Sequence, residues 1–465
     1  MSNLLAKLGL HRPELRAWAM YDWANSAFIT VIITAVYPVY FSKIAGADVP
    51  PEVSELRHGI ATTLGLLIIA ALAPILGAIA DFAPIKKRMI GTFLGIGVVS
   101  VALMFFIQRG DWLLACVLFV IANFAANGSF VFYDALLPHI AKEEEMDRVS
   151  TAGYAIGYVG GGLLLALNLA WILKPQWFGL PHGQGLTAAQ ETLPTRLAFL
   201  SVALWWLLFA IPLFRRVPEP ALNIRAGQLT SGGAVRNGFR QLGETFQELR
   251  RFKNALLMLI GFLIYNDGIG TIIRMAVIYG QGKGIGQDAL ISAILITQFV
   301  GIPFAFLFGL LAGKIGAKPA IFLALAVYGG ISIFGYFMET ATHFFILAIL
   351  VGMVQGGAQA LSRSLFASMI PRHKSGQFFG FFAVVEKFAG IFGPFLFSAM
   401  IAATGSSRNA ILSVIAFFVV GGAVFYFVNV DEGQRLAREA EAETQPRAKL
   451  NSEQGGDQQL TPDKT

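Results

Sequence analysis

The sequence predicts an all-α membrane protein: twelve transmembrane helices arranged as two pseudo-symmetric six-helix bundles. Three observations lead there. The 465 residues are 55% hydrophobic and only 14% charged, against the roughly 25% charged of an ordinary soluble domain, and mean hydropathy is +0.64. Apolar stretches near the length that a bilayer core demands, about 20 residues, recur along the chain. The second half of the chain also repeats polar features of the first.

The predicted spans are 17–42, 58–81, 89–107, 112–134, 149–173, 196–214, 254–279, 288–312, 318–338, 343–367, 376–403 and 407–429. Span 1 is too long for a signal core, carries Asp22 and Asn25, and is followed by no small-residue cleavage site, so it is expected to stay in the protein. Cys116 is the single cysteine, which excludes an intrachain disulfide or a thiolate metal cluster. No cofactor is expected, and the chain lacks a Walker phosphate loop, so ATP-driven transport is not expected.

The formal charge of +7 invites a nucleic-acid reading, but the cations alternate by loop. Lys7, Arg12 and Arg16 precede span 1, Lys86, Lys87 and Arg88 follow span 2, Lys142 and Arg148 follow span 4, and Arg215 to Lys253 form a basic segment after span 6. The intervening loops carry only scattered cations such as Lys43 and Arg109. The positive-inside rule then places both termini in the cytoplasm, and the basicity reflects topology and not a nucleic-acid partner. The expected partners are the lipid bilayer, a small-molecule substrate and a proton as candidate coupling ion; the expected setting is a bacterial inner membrane, and the expected state a monomer.

Six spans, a polar segment and six more spans divide the chain into 1–214, a linker at 215–253, 254–430 and a tail at 431–465. An offset of about 232 residues carries Asn123 and Asn127 of span 4 onto Gln355 and Gln359 of span 10, and places Gly309, Gly313 and Lys314 opposite Gly77, Asp81 and the following Lys-Lys-Arg. Pro138 and Pro371 match one residue further on. In the linker, Val235, Phe239, Leu242, Phe246, Leu249 and Phe252 recur at helical spacing among arginines, the pattern of a basic amphipathic helix on the membrane surface. The tail is polar, and is expected to be partly helical and then disordered.

A charge near the bilayer centre costs about 2.5–3.5 kcal/mol on insertion scales, so each intramembrane polar residue should face a cavity or a partner. Asp22, Asn25 and Ser26 share one face of span 1, and Asn123, Asn127 and Asp134 one face of span 4. Span 7 carries Asn266, Asp267 and Arg274, and span 10 carries Gln355, Gln359 and Arg363. The stripes fall on the first and fourth span of each half, where a cavity between bundles would lie. Interhelical packing through amide hydrogen bonds is the competing reading for the Asn and Gln residues. Asp22 and Arg363 both lie toward the cytoplasmic side and can form an inner gate pair. In span 11, Glu386 is a candidate proton carrier or, equally, the neutraliser of a cation on a neighbouring helix, while its neighbour Lys387 points about 100° away and pairs poorly with it. No histidine falls in the interior of a span and no metal-spaced His/Glu set exists, so an enzyme is not expected.

The run Gly77-Ala-Ile-Ala-Asp81-Phe-Ala-Pro-Ile-Lys86-Lys87-Arg88 resembles the signature loop of the major facilitator superfamily. That resemblance implies gating roles for Asp81, Lys86, Lys87 and Arg88; the second-half copy has Gly313 in place of the acid. Three further segments resemble the autophagy-related vacuole effluxer family and its bacterial relatives: the stretch from Trp18 to Phe28, Tyr265-Asn266-Asp267-Gly268, and Gln359-Ala-Leu-Ser362-Arg363-Ser364. The resemblance implies a major facilitator transporter, with amino-acid export as the activity linked to its eukaryotic members. A small polar solute is thus the expected cargo, with Asp22 or Asp267 facing an ammonium and Arg274 a carboxylate. The alternative is a membrane receptor or scaffold that kept the fold and lost turnover.

Overall fold

The structure is a computed structural model that describes residues 2–82, 84–220, 247, 249–388 and 392–456; the side chains of some helix positions, Asp81 and Lys387 among them, also lie outside the described residues. Every regular element among the described residues is helical. The helices used below are α1 (Pro13–Ala27), α2 (Pro51–Phe82), α3 (Lys86–Leu103), α4 (Trp112–Ile140), α5 (Met146–Leu173), α6 (Leu193–Arg216), α7 (Lys253–Gly282), α8 (Gln287–Ile315), α9 (Ala317–Tyr336), α10 (Ala341–Ser368), α11 (Ser375–Phe388), α12 (Phe392–Thr404), α13 (Ser407–Ser413), α14 (Ile415–Tyr426) and α15 (Val430–Gly456).

Ten helices among the described residues are long and apolar enough to cross a membrane, and Arg57–Ala73 and Phe395–Thr404 are shorter apolar helices. The boundaries obey local chemistry. Proline sits in the first turn of α1, α2 and α6, where its missing N–H would have no helical acceptor. The Thr340 hydroxyl accepts the His343 N–H at the start of α10. Gly316 turns the chain between α8 and α9 at φ +89°, a conformation that L side chains rarely adopt.

Several elements depart from the predicted spans. Span 1 is interrupted, running on from α1 into π-helical stretches at Phe28–Ala35 and Phe41–Ala45, where bonds such as Val36 N–H to Val31 C=O reach back five residues. Span 12 is broken at Val414 into α13 and α14, while span 11 is covered by α11 and α12 on either side of residues 389–391, which lie outside the described residues. Pro138, expected past span 4, lies inside α4, which continues to Ile140; its ring falls in the last turns, where a lost hydrogen bond costs least. His58 also falls inside α2, packed among Tyr37, Phe41 and Phe119. In the linker, Val235, Phe239, Leu242 and Phe246 lie outside the described residues; Leu249 and Phe252 are buried, with Phe252 edge-on to Phe378 at 5.7 Å.

The faces sort as a bilayer requires. On α4, Leu113, Leu114, Val117 and Ile121 are exposed along one stripe while Asn123, Asn127 and Asp134 are buried. On α6, Leu204, Leu207, Leu208 and Ile211 form the outer stripe. Polar groups tie neighbours inside each half: Asn168 on α5 donates to Ser201 Oγ on α6 at 3.1 Å, and Ser201 donates back at 3.2 Å. Replacing Ser201 with Ala is expected to cost about 0.6 kcal/mol, and at most roughly 1.7, as a small drop in the unfolding midpoint in detergent.

The start of α1 and the first turns of α15 share one side. Arg12 donates to Ile140 C=O at 2.8 Å and pairs with Glu145. Asn254 at the start of α7 bonds Glu432 of α15, and His139 at the end of α4 meets Ser375 at the start of α11 at 3.0 Å. The first turns of α15 dock on α10 through Gln434 to Ser368 Oγ, and Glu441 accepts the Arg372 N–H. We call this side the terminal side. On the opposite side, Arg109 faces Asp48 and Arg408 pairs with Glu339 at 2.7 Å.

Helices before and after the linker meet along two seams, α5 with α8 and α2 with α11, and α4 and α5 also touch α10. Both seams rely on glycine. A Cβ on Gly77 of α2 would fall on the backbone carbonyl of Gly376 in α11, and one on Gly309 of α8 would strike Thr151 of α5.

Candidate functional site

The stripes expected on spans 1, 4, 7 and 10 converge, but on two different tasks. The first is a buried ionic cluster on the terminal side of the α4/α5–α10 contact. Arg363, 3% exposed, projects from α10 into helices of the first six. Its Nη1 lies 3.1 Å from Asp134 Oδ1 on α4, and its Nη2 lies 3.5 Å from Asp22 Oδ2 on α1. Nε donates to Ser150 Oγ at 2.9 Å and Nη2 to Ser150 C=O at 3.0 Å, both on α5. Ser150 Oγ in turn donates to Ala360 C=O on α10 at 2.7 Å. One turn on, Ser364 Oγ donates to Asp147 Oδ1 at 2.5 Å.

Aromatic faces complete the enclosure. The guanidinium carbon lies 4.7 Å from the Tyr154 ring centre and 4.9 Å from that of Trp18. Trp18 stacks on Tyr133 at 4.5 Å and its Nε1 donates to Tyr133 C=O. The Tyr133 hydroxyl donates to Asp22 Oδ2 at 2.7 Å. Planar, delocalised Arg suits such a cage, where a lysine would make fewer directed bonds. Gly153 of α5 leaves room for the cluster, since a Cβ there would press on Asp22, Trp18 and Arg363.

The second task is polar pairing within each half, and it follows the repeat. Asn25 on α1 donates to Ser129 on α4 at 3.3 Å, and Gln359 on α10 donates to Asn266 on α7 at 3.4 Å. Tyr265 of α7 meets Ser362 of α10 at 2.6 Å, as Tyr133 of α4 meets Asp22 of α1. Asn127 instead bonds its own-helix neighbour Asn123, at 2.6 Å between Nδ2 and Oδ1. Asp267, 1% exposed, accepts the Gly393 N–H through Oδ1 at 3.0 Å at the start of α12. Its Oδ2 and Asn25 Oδ1 are buried and without a hydrogen-bond partner among the described residues. Arg274, seven residues along α7, is exposed, and Gln355 is half-buried.

The signature-loop residues are spread out. Lys86 is buried with its ammonium on Ala80 C=O at 3.1 Å, the Lys87 backbone N–H donates to Glu219 at 2.9 Å, and Arg88 is exposed. The Asp81 and Lys387 side chains lie outside the described residues, and Glu386 is half-buried on α11. Sequence reasoning paired Asp22 with Arg363 but placed Asp134 apart from them. It did not single out Ser150, Tyr133, Tyr154 or Gly153. The signal in reach was Tyr133 beside Asp134, an aromatic hydroxyl next to an intramembrane acid. Among the described residues no group of His, Cys, Asp and Glu is placed to hold a metal.

The comparisons with known proteins agree with this architecture. The chain is 37% identical over 413 residues to "Uncharacterized MFS-type transporter YxiO" of Bacillus subtilis (strain 168), covering 89% of this chain and 94% of that protein. It is 28% identical over 320 residues to "Autophagy-related protein 22" of Yarrowia lipolytica (strain CLIB 122 / E 150), covering 62% of this chain and 51% of that protein. Among solved structures, the proton:xylose symporter XylE bound to 6-bromo-6-deoxy-D-glucose superposes with a TM-score of 0.66 at 12% identity, covering 90% of this chain and 95% of that one, a likeness of fold. A family model described as "Vacuole effluxer Atg22 like" matches residues 59–438. The chain belongs to the Atg22-like vacuole effluxer family, on the major facilitator fold.

Proposed function

We propose that this chain moves a small polar solute by alternating access, with the Arg363 cluster as the gate on the terminal side. The observation that carries the reading is a guanidinium from the second half held by carboxylates and a serine of the first, buried from water. Such a cluster holds firmly only while both halves stay together on that side, because an unpartnered charge in the membrane is costly. Withdrawing α10 exposes all three side chains to water at once, which suits a two-state gate. In this reading residues 1–214 and 254–430 are the moving bundles, 215–253 links them, 431–465 is a tail, and the terminal side faces the cytoplasm, a reading that the basic loops support.

The solute's chemistry is read from the buried acceptors. Asn25 Oδ1 and Asp267 Oδ2 stand on equivalent helices of the two halves, and a buried acceptor left unpaired costs about 1–3 kcal/mol. A solute with N–H donors satisfies them, and Arg274 supplies an anion partner two turns from Asp267. An amino acid has both groups, and Asp22, occupied by Arg363 while the gate is shut, becomes available only on opening.

The test is uptake by the purified protein in liposomes of a panel of labelled amino acids, with and without an imposed proton gradient. Protein-dependent uptake is expected, with loss of one to two orders of magnitude in apparent affinity for Arg274→Gln and Asp267→Asn. Unchanged affinity in both variants removes the amino-acid assignment. No flux of any panel member, in protein whose gate still opens, points to another solute or to a receptor role.

A further inference from the structure

The gate cluster is unbalanced in charge, and this rests on the gate reading given above. One guanidinium, Arg363, serves two carboxyl groups, Asp22 and Asp134, so the fully ionised set carries a formal −1 in a membrane-buried site. The geometry does not compensate. Each carboxyl meets the guanidinium through a single contact, at 3.5 Å for Asp22 and 3.1 Å for Asp134, and neither forms the two-pronged fork that strengthens Arg–carboxylate pairs. Two of the remaining guanidinium bonds go to neutral Ser150. Among the described residues, the other groups in contact with the cluster add no cation: Tyr133 from α4 and Tyr154 from α5 are neutral, and Asp147 of α5 is engaged by Ser364.

We infer that Asp22 and Asp134 hold one exchangeable proton between them while the terminal side is sealed, so that opening the gate is coupled to proton release. In the sealed state one carboxylate takes up H⁺ to become a carboxylic acid, and the set of three becomes neutral. On opening, Arg363 leaves with α10, water reaches the carboxyls, and the acid gives its H⁺ to that water and returns to carboxylate. The proton belongs to the pair, since two carboxyls sharing one cation titrate together. Because the sealed state binds the proton, its population falls as pH rises. A conserved charge count per cycle then ties solute movement to proton movement, with no ion other than H⁺ needed.

The test is infrared difference spectroscopy of the full chain in phosphatidylethanolamine/phosphatidylglycerol vesicles, titrated from mildly acid to mildly alkaline pH. The expected result is a protonated-carboxyl C=O band that is lost in Asp22→Asn and in Asp134→Asn, because either single removal leaves a neutral Arg–Asp pair. The band should persist in Asp267→Asn and Glu386→Gln. Should both Asn variants fail to fold, Asp134→Glu and Asp22→Glu keep the carboxyl, and the band should shift in frequency in at least one of them. No such band in the wild-type protein at any pH, or one that neither the Asn nor the Glu variants move, overturns the inference. The spectrum reads the proton without requiring the gate to move: a band lost in Asp134→Asn, with terminal-side distances unresponsive to Arg363→Gln, would keep the proton and remove the gate. Responsive distances without a band would do the reverse.

Discussion

Replacing Arg363 with Gln is expected to destabilise the sealed form by about 3–5 kcal/mol, the usual cost of deleting one partner of a buried ion pair. The loss is large because Asp22 and Asp134 remain behind, facing each other across the space the guanidinium occupied. Converted to an equilibrium, that is roughly a hundred- to a few-thousand-fold against the sealed form. The triple variant Asp22→Asn, Asp134→Asn, Arg363→Gln should recover most of the lost stability, since removing a whole buried ionic set is often neutral. Thermal unfolding midpoints of the single and triple variants in detergent check this. A triple variant no more stable than Arg363→Gln would mean that packing of the side chain against Trp18 and Tyr154, and not charge, holds the cluster.

The second large effect is steric. In Gly77→Ala the new methyl would fall on the Gly376 carbonyl, and both nearest atoms are backbone, so no side chain can swing aside. Helices α2 and α11 must separate, at about 1–3 kcal/mol for an overpacked contact. Since this crossing joins the two halves, the cost should fall on the sealed arrangement, opening the terminal side with little change in global helix content by circular dichroism. Gly95→Ala is the control, as a Cβ there meets nothing within 4 Å. Equal behaviour of the two variants would show that the α2–α11 crossing has slack.

Much of this architecture was legible in the sequence because the bilayer imposes a coarse rule. Runs of about 20 apolar residues must be helices, and intramembrane charges must find partners. That logic located the stripes and paired Asp22 with Arg363. It could not place Asp134 in the same cluster. Periodicity says which face of a helix a residue shares, but it does not reveal how deep neighbouring helices interlock. The aromatic cage was hidden for a similar reason: Trp18, Tyr133 and Tyr154 read as ordinary packing residues until Arg363 lies between them. Gly153 had no signature at all, because its importance is the volume that it leaves to Asp22 and Arg363. The π-helical stretches of span 1 also escaped, since a register slip of one backbone bond leaves no mark on hydropathy.

Rocking of two bundles about a central site is tested most directly by paired distances between spin labels on opposite sides of the protein. With Cys116 replaced by Ala, one pair of labels is placed at Glu144 and Lys314 on the terminal side, and another at Lys43 and Glu339 on the opposite side; all four positions are exposed. Arg363→Gln is predicted to lengthen the first distance and shorten the second in the same reconstituted protein. Both distances unchanged in a folded Arg363→Gln protein, or both lengthened together, would contradict a gate coupled to alternating access.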